Sequence, residues 1–132
     1  MFEFCKGLYD FSLAELEKNR TFADIEMELG SRIYKAGYEP TTTQIHMYNM
    51  VTVIPTDSPP QPRDFITVHP NVSNGDYAVG VEFGRTVRIM KDGSVERLQR
   101  TPAKLNLVSI LGVMFWVKLE VRLASISIFQ ET

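Results

Sequence analysis

Up to Gly37 the apolar residues of this 132-residue chain recur at intervals of three and four, and beyond Pro40 they recur at intervals of two. A period near 3.6 belongs to helices and a period of two to half-buried strands, so the chain divides into a helical first third and a β remainder. Phe22, Ile25, Leu29, Ile33 and Ala36 form one helical stripe, with Thr21 placed as its N-cap and Gly37 as the residue past its end. Asp24, Glu28, Arg32 and Lys35 occupy the other face, with Glu28 and Arg32 in the favourable order four apart. Ser12-Leu13-Ala14-Glu15 has the form of a capping box, which predicts an earlier helix beginning at Leu13.

After Pro40 the first alternating run is Ile45, Met47, Val51 and Val53, followed by a proline-rich stretch, residues 55–62, that lacks the amides to join a sheet. Phe65 to His69 reads as a short strand stopped by Pro70, residues 71–75 as a turn, and Tyr77, Val79, Val81 and Phe83 as the clearest strand. Thr86–Met90 and Ser94–Gln99 flank Lys91-Asp92-Gly93. A two-residue turn would oppose Arg88 to Arg97, whereas a three-residue loop with a left-handed Gly93 opposes Arg88 to Glu96 and Ile89 to Val95. Opposite charges across a ladder stabilise and like charges do not, so the three-residue loop is expected. Residues 105–112 fit either a strand or a helix capped at Thr101-Pro102. Phe115 to Leu123 alternates as a long strand, and the apolar parity flips beyond it, as at a bulge.

Two helices and then strands joined by short connections predict an α+β fold, with the helices (about 12–37) packed on one face of an antiparallel meander of about five to six strands (about 43–129). The length suits one domain over residues 1–132. Glu3 and Lys6 interrupt the start of the chain, which argues against a secretory leader. The most apolar run, residues 105–117, is shorter than the roughly 20 residues that span a bilayer. With Cys5 as the single cysteine no disulfide can form within the chain, so a soluble protein in a reducing, cytoplasmic setting is expected.

No motif for cofactor, phosphate or metal binding is present: the glycines form neither phosphate-loop pattern, and His46 and His69 lack metal-ligand spacing and a third ligand. On neighbouring strands in a suitable register the two imidazoles could meet on the outer face. Cys5, between Phe4 and Lys6, reads as a buried thiol, and Glu15, Glu17, Asp24, Glu26 and Glu28 read as solvated helix charges.

Charge is the uneven feature. Six of the 14 Lys and Arg lie between residues 85 and 104, against two of the 16 Asp and Glu, on a chain whose net charge is −2. Arginine suits bidentate contact with carboxylate or phosphate, so Arg85, Arg88, Arg97 and Arg100 are the candidate partner-binding residues. A charged hairpin also guards a sheet edge against pairing. Trp116, on the polar parity of the last strand beside Lys118, is a further candidate contact, unless the 55–62 loop covers it. These features favour a non-enzymatic binding or assembly protein, of the small accessory, structural or inhibitor kind known from phage and bacteria. Its partner would be a protein with an acidic surface, or a second copy through residues 105–117 and Trp116. The competing readings are a small enzyme or binder of a phosphorylated ligand using the hairpin with His46 and His69, and a nucleic-acid binder, which an isoelectric point near 5.7 disfavours.

Overall fold

The computed structural model describes residues 1–47, 57–100 and 102. It is an α+β arrangement of two helices, α1 (Phe2–Glu17) and α2 (Phe22–Lys35), and six strands: β1 (Ile45–Met47), β2 (Phe65–Val68), β3 (Asn71–Ser73), β4 (Gly80–Glu82), β5 (Arg85–Ile89) and β6 (Val95–Arg97). The strands form a four-stranded antiparallel sheet in the order β1-β2-β5-β6 and a two-stranded sheet of β3 and β4. Among the described residues no helix is long and apolar enough to cross a membrane.

α2 is built as its spacing predicts. Thr21 is extended and its hydroxyl accepts from the Asp24 amide at 3.1 Å; Phe22, Ile25, Leu29 and Ile33 are buried, while Ala36 is exposed. Gly37 takes φ +77°, and Gly37 and Tyr38 return their amides to the carbonyls of Tyr34 and Ile33, a Schellman ending. Arg32 and Glu28 pair at 3.0 Å.

α1 begins eleven residues before the expected Leu13, at Phe2. Its stripe is Cys5, Leu8, Tyr9, Ser12, Leu13 and Leu16, all buried. Ser12 is therefore not a cap: its hydroxyl donates to the Leu8 carbonyl one turn back at 2.8 Å. A serine there joins the buried face because a hydroxyl bonded into its own helix leaves no polar group unpaired. Past the C-cap Lys18 the chain turns away at Asn19, left-handed at φ 59°, with the Asn19 and Arg20 amides returning to the carbonyls of Leu16 and Glu15. Glu15, expected in solvent, is buried between Lys18 (2.6 Å) and Arg20 (2.8 Å).

The expected single meander is two sheets. Pro70 cannot donate to the ladder after β2, and the chain leaves the main sheet there and returns at Arg85 as β5 beside β2. Residues 71–73, expected as a turn, form β3, whose Ser73 exchanges both backbone hydrogen bonds with Glu39 on the side away from β4. The strand expected from Tyr77 to Phe83 shrinks to Gly80–Glu82. Asn74 captures the Val79 amide through its side chain and donates its own amide to the Val79 carbonyl, while Asp76 accepts from Ala78, so turn bonds consume the backbone of residues 74–79. Tyr77 and Val79 are left 63% and 55% exposed.

Ile45, Ile66, Val68, Val87 and Ile89 from the main sheet join Val72, Phe83 and the buried stripes of both helices in one core. Phe83 is packed edge-on by Phe2 (5.7 Å) and Tyr9 (5.2 Å). Because side chains alternate along a strand, burying Ile66 and Val68, and Val87 and Ile89, turns Phe65, Thr67, Thr86 and Arg88 to the opposite face.

Candidate functional site

The β5–β6 hairpin has the register expected of the three-residue loop: Val87 opposes Arg97, Arg88 opposes Glu96 and Ile89 opposes Val95. Gly93 supplies the left-handed position at φ 83°, and Asp92 accepts from both the amide and the hydroxyl of Ser94, at 3.0 and 2.6 Å. Arg88 and Glu96 pair at 2.7 Å.

Strand alternation then divides the four candidate arginines between two faces. Arg97, opposite the buried Val87, lies over the Tyr9 ring at 5.6 Å and 3.1 Å from the Asp10 carboxylate of α1. Arg85 lies over Phe83 at 5.5 Å and donates to the Gln99 carbonyl at 3.1 Å. Both are engaged on the side of the core. Arg88 stands on the other face, and Arg100 is exposed beyond β6. Trp116 lies outside the described residues, as do the expected strand from Phe115, its bulge and residues 105–112.

On its outward face Arg88 is joined by two cations, Arg63 and Lys91, around a cavity of about 550 Å3 that Phe65, Ile89 and Met90 also line. Phe65 is directly opposite Arg88 in the β2–β5 ladder and is 43% exposed. Arg63 is held at φ 79° with its amide on the Ile89 carbonyl at 2.9 Å. A left-handed non-glycine residue carries a strain of about 1–2 kcal/mol, so the loop fixes Arg63 at the mouth of the cavity against its own backbone preference. Sequence reasoning passed over Arg63, although it is the only Lys or Arg between residues 40 and 84.

The two histidines meet. His46 of β1 and His69, just past β2, are edge-to-face with centroids 5.0 Å apart. The His46 Nδ1 lies 2.8 Å from the Met47 carbonyl, and the His69 Nδ1 lies 3.5 Å from Glu82, while the buried His69 Nε2 has no partner among the described residues. The hydrogen bond from His69 holds the Glu82 carboxyl below its ordinary range. Glu26, expected on a solvated face, instead turns its carboxylate onto the amides of Gln44 (2.9 and 3.0 Å) and Ile45 (3.2 Å), and burial pushes its pKa up. Among the described residues no group of three His, Cys, Asp or Glu is placed to hold a metal ion. The Cys5 thiol is buried against the Val81 carbonyl and its pKa is pushed up to about 11 by that burial, so at neutral pH it is the un-ionised, unreactive form.

No family model, curated protein or solved structure matches the chain. The functional reading therefore rests on the geometry of the hairpin face.

Proposed function

We propose that the protein is a non-enzymatic binding or assembly protein whose partner is a protein with an acidic surface, engaged in the cytoplasm by the outward side of the basic hairpin. The observation that carries this reading is the charge balance around Arg88. Arg63, Lys91 and Arg100 have no acidic side chain paired with them among the described residues, whereas Arg97 is engaged by Asp10. Exposed cations left without partners favour encounter with an acidic surface and set its orientation. Arg85 and Arg97 serve the contact between the hairpin and the core, so the binding role falls on Arg63, Arg88, Lys91 and Arg100.

The test uses a fluorescently labelled Asp/Glu-rich peptide and, in parallel, a single-stranded RNA oligonucleotide, titrated with the full chain at low and moderate salt. Salt-sensitive binding of the peptide, weakened at least tenfold by combining Arg63→Glu, Lys91→Glu and Arg100→Glu with the melting temperature unchanged, is the expected result. Indifference to the three reversals, or preference for the RNA, overturns it. Sedimentation of the chain alone separates a second copy from a different protein as the natural partner.

A further inference from the structure

Resting on the reading just given, we infer that the cavity beside Arg88 receives one large apolar side chain of an acidic peptide, whose flanking carboxylates are taken by Arg63, Arg88 and Lys91. The volume of about 550 Å3 lies in the range of sites that enclose a ligand group, and Phe65 and Met90 give it an apolar lining, with the thioether able to adapt to different occupants. Arg63, Arg88 and Lys91 line the same cavity as these apolar side chains, so positive charge is offered beside an apolar anchor. Asp92 also lines the cavity and stays ionised, because the hydrogen bonds from Ser94 hold its carboxyl below its ordinary range, but the three cations outnumber it. Arg88 is balanced by Glu96 through one nitrogen, leaving its planar fork with N–H groups for a second carboxylate.

A phosphorylated small molecule fits this place less well, for a reason in the backbone. Phosphate cradles are built from free amides, and here the amides of Arg63, Ile89, Met90, Gly93 and Ser94 already donate, to Ile89, Asp64, Ser94, Met90 and Asp92 respectively. With those five amides taken, recognition rests chiefly on the side chains of Arg63, Arg88 and Lys91 beside Phe65 and Met90, which suits carboxylates set beside an apolar group.

The experiment compares two labelled peptides on the wild-type chain by fluorescence anisotropy: one with a Phe flanked on both sides by Asp and Glu, the other identical with Gly in place of the Phe. The anchored peptide binds at least tenfold tighter. In Phe65→Thr, a strand-compatible change at a half-exposed position, that preference falls to about onefold while the Gly peptide binds as before. Arg63→Ser weakens both peptides and keeps the preference, and it serves as the second variant should Phe65→Thr lower the melting temperature. Equal binding of the two peptides to the wild-type chain overturns the cavity assignment and leaves the acidic-partner reading standing, whereas failure of both peptides to bind at low salt overturns both.

Discussion

Replacing Asn71 by Leu tests whether one buried amide organises the entry to β1. Asn71 is almost fully buried, and its Oδ1 accepts from the Thr41 amide (2.9 Å), the Thr41 hydroxyl (2.7 Å), the Thr42 amide (2.9 Å) and the Gln44 side chain (3.0 Å). Its Nδ2 donates to the His69 carbonyl (3.0 Å) and the Thr43 carbonyl (3.3 Å), and its backbone amide donates to the Gln44 Oε1 at 2.8 Å. An amide oxygen has two lone pairs, so the four donors do not amount to four full bonds. Thr41 and Thr42 are exposed and can turn to water, whereas Gln44 cannot. Leu keeps the branched shape, is no smaller and removes the polar groups, so cavity formation does not enter. At about 1 kcal/mol net per bond, with the buried Gln44 amide left partly unpaired at a further 1–3 kcal/mol, the loss is roughly 3–4 kcal/mol. For a domain of this size that lowers the melting temperature by roughly 10 °C. Urea unfolding followed by circular dichroism reads it directly, with an unchanged slope showing that the states compared are the same. Gln44→Leu alone and with Asn71→Leu completes a cycle, and the double variant costs clearly less than the two singles together because each amide is the other's partner. A loss below about 1 kcal/mol for Asn71→Leu, or strict additivity in the cycle, refutes the network as an organising element.

Three further outcomes follow from residues whose positions are now known. Thr21→Ala costs about 1 kcal/mol because the α2 cap is lost, whereas Ser12→Ala stays within about 0.5 kcal/mol because its hydroxyl only back-bonds within α1; equal losses in urea unfolding would return Ser12 to a capping role. Lys18 and Arg20 hold the Glu15 carboxyl below its ordinary 4.5, so its contribution is present above that value and is lost as pH falls through the depressed one. Glu15→Gln is therefore less stable than wild type at pH 7, and the gap closes on acidification; a gap independent of pH would mean the pairing is not electrostatic. A Cβ on Gly84 would stand 2.6 Å from the His69 Cβ, so Gly84→Ala forces His69 or the β4–β5 connection to move at about 1–3 kcal/mol, with shifted imidazole resonances in the NMR spectrum; unshifted resonances at wild-type stability would contradict that packing.

The elements legible in the sequence are those in which one local rule acted without competition. The α2 stripe, its threonine cap and its terminal glycine all act within one or two turns of chain. The hairpin register followed because Arg88 had only two possible neighbours, Arg97 or Glu96, and charge separates them. Where two rules competed, the longer-range one decided. Ser12 satisfies a cap pattern, but the stripe from Phe2 to Leu16 buries it in mid-helix. Tyr77 and Val79 satisfy a strand pattern, but Asn74 and Asp76 bond their own turn first. Glu26 has the character of a solvated helix charge until Gln44 and Ile45, 18 and 19 residues on, bring it two unpaired amides that only a tertiary contact could supply.

The same logic explains why the hairpin's arginines were legible as a group and not as a surface. Counting charges locates a basic segment, but alternation assigns each residue to a face, and the face that matters is known only once the buried partner of each strand is known. With Val87 and Ile89 inward, Arg85 and Arg97 become part of the contact with Phe83, Tyr9 and Asp10, and Arg88 is left facing outward between Phe65 and Glu96. Arg63 reaches that face from a loop more than twenty residues earlier, through a left-handed backbone and the single amide bond to Ile89. No spacing rule joins residues 63 and 88; the β2–β5 pairing does, by placing Phe65 opposite Arg88. A binding face assembled this way depends on the ladder that aligns it, so a change that shifts the β2–β5 register by one residue would turn either Phe65 or Arg88 inward and separate the apolar wall of the cavity from its charge.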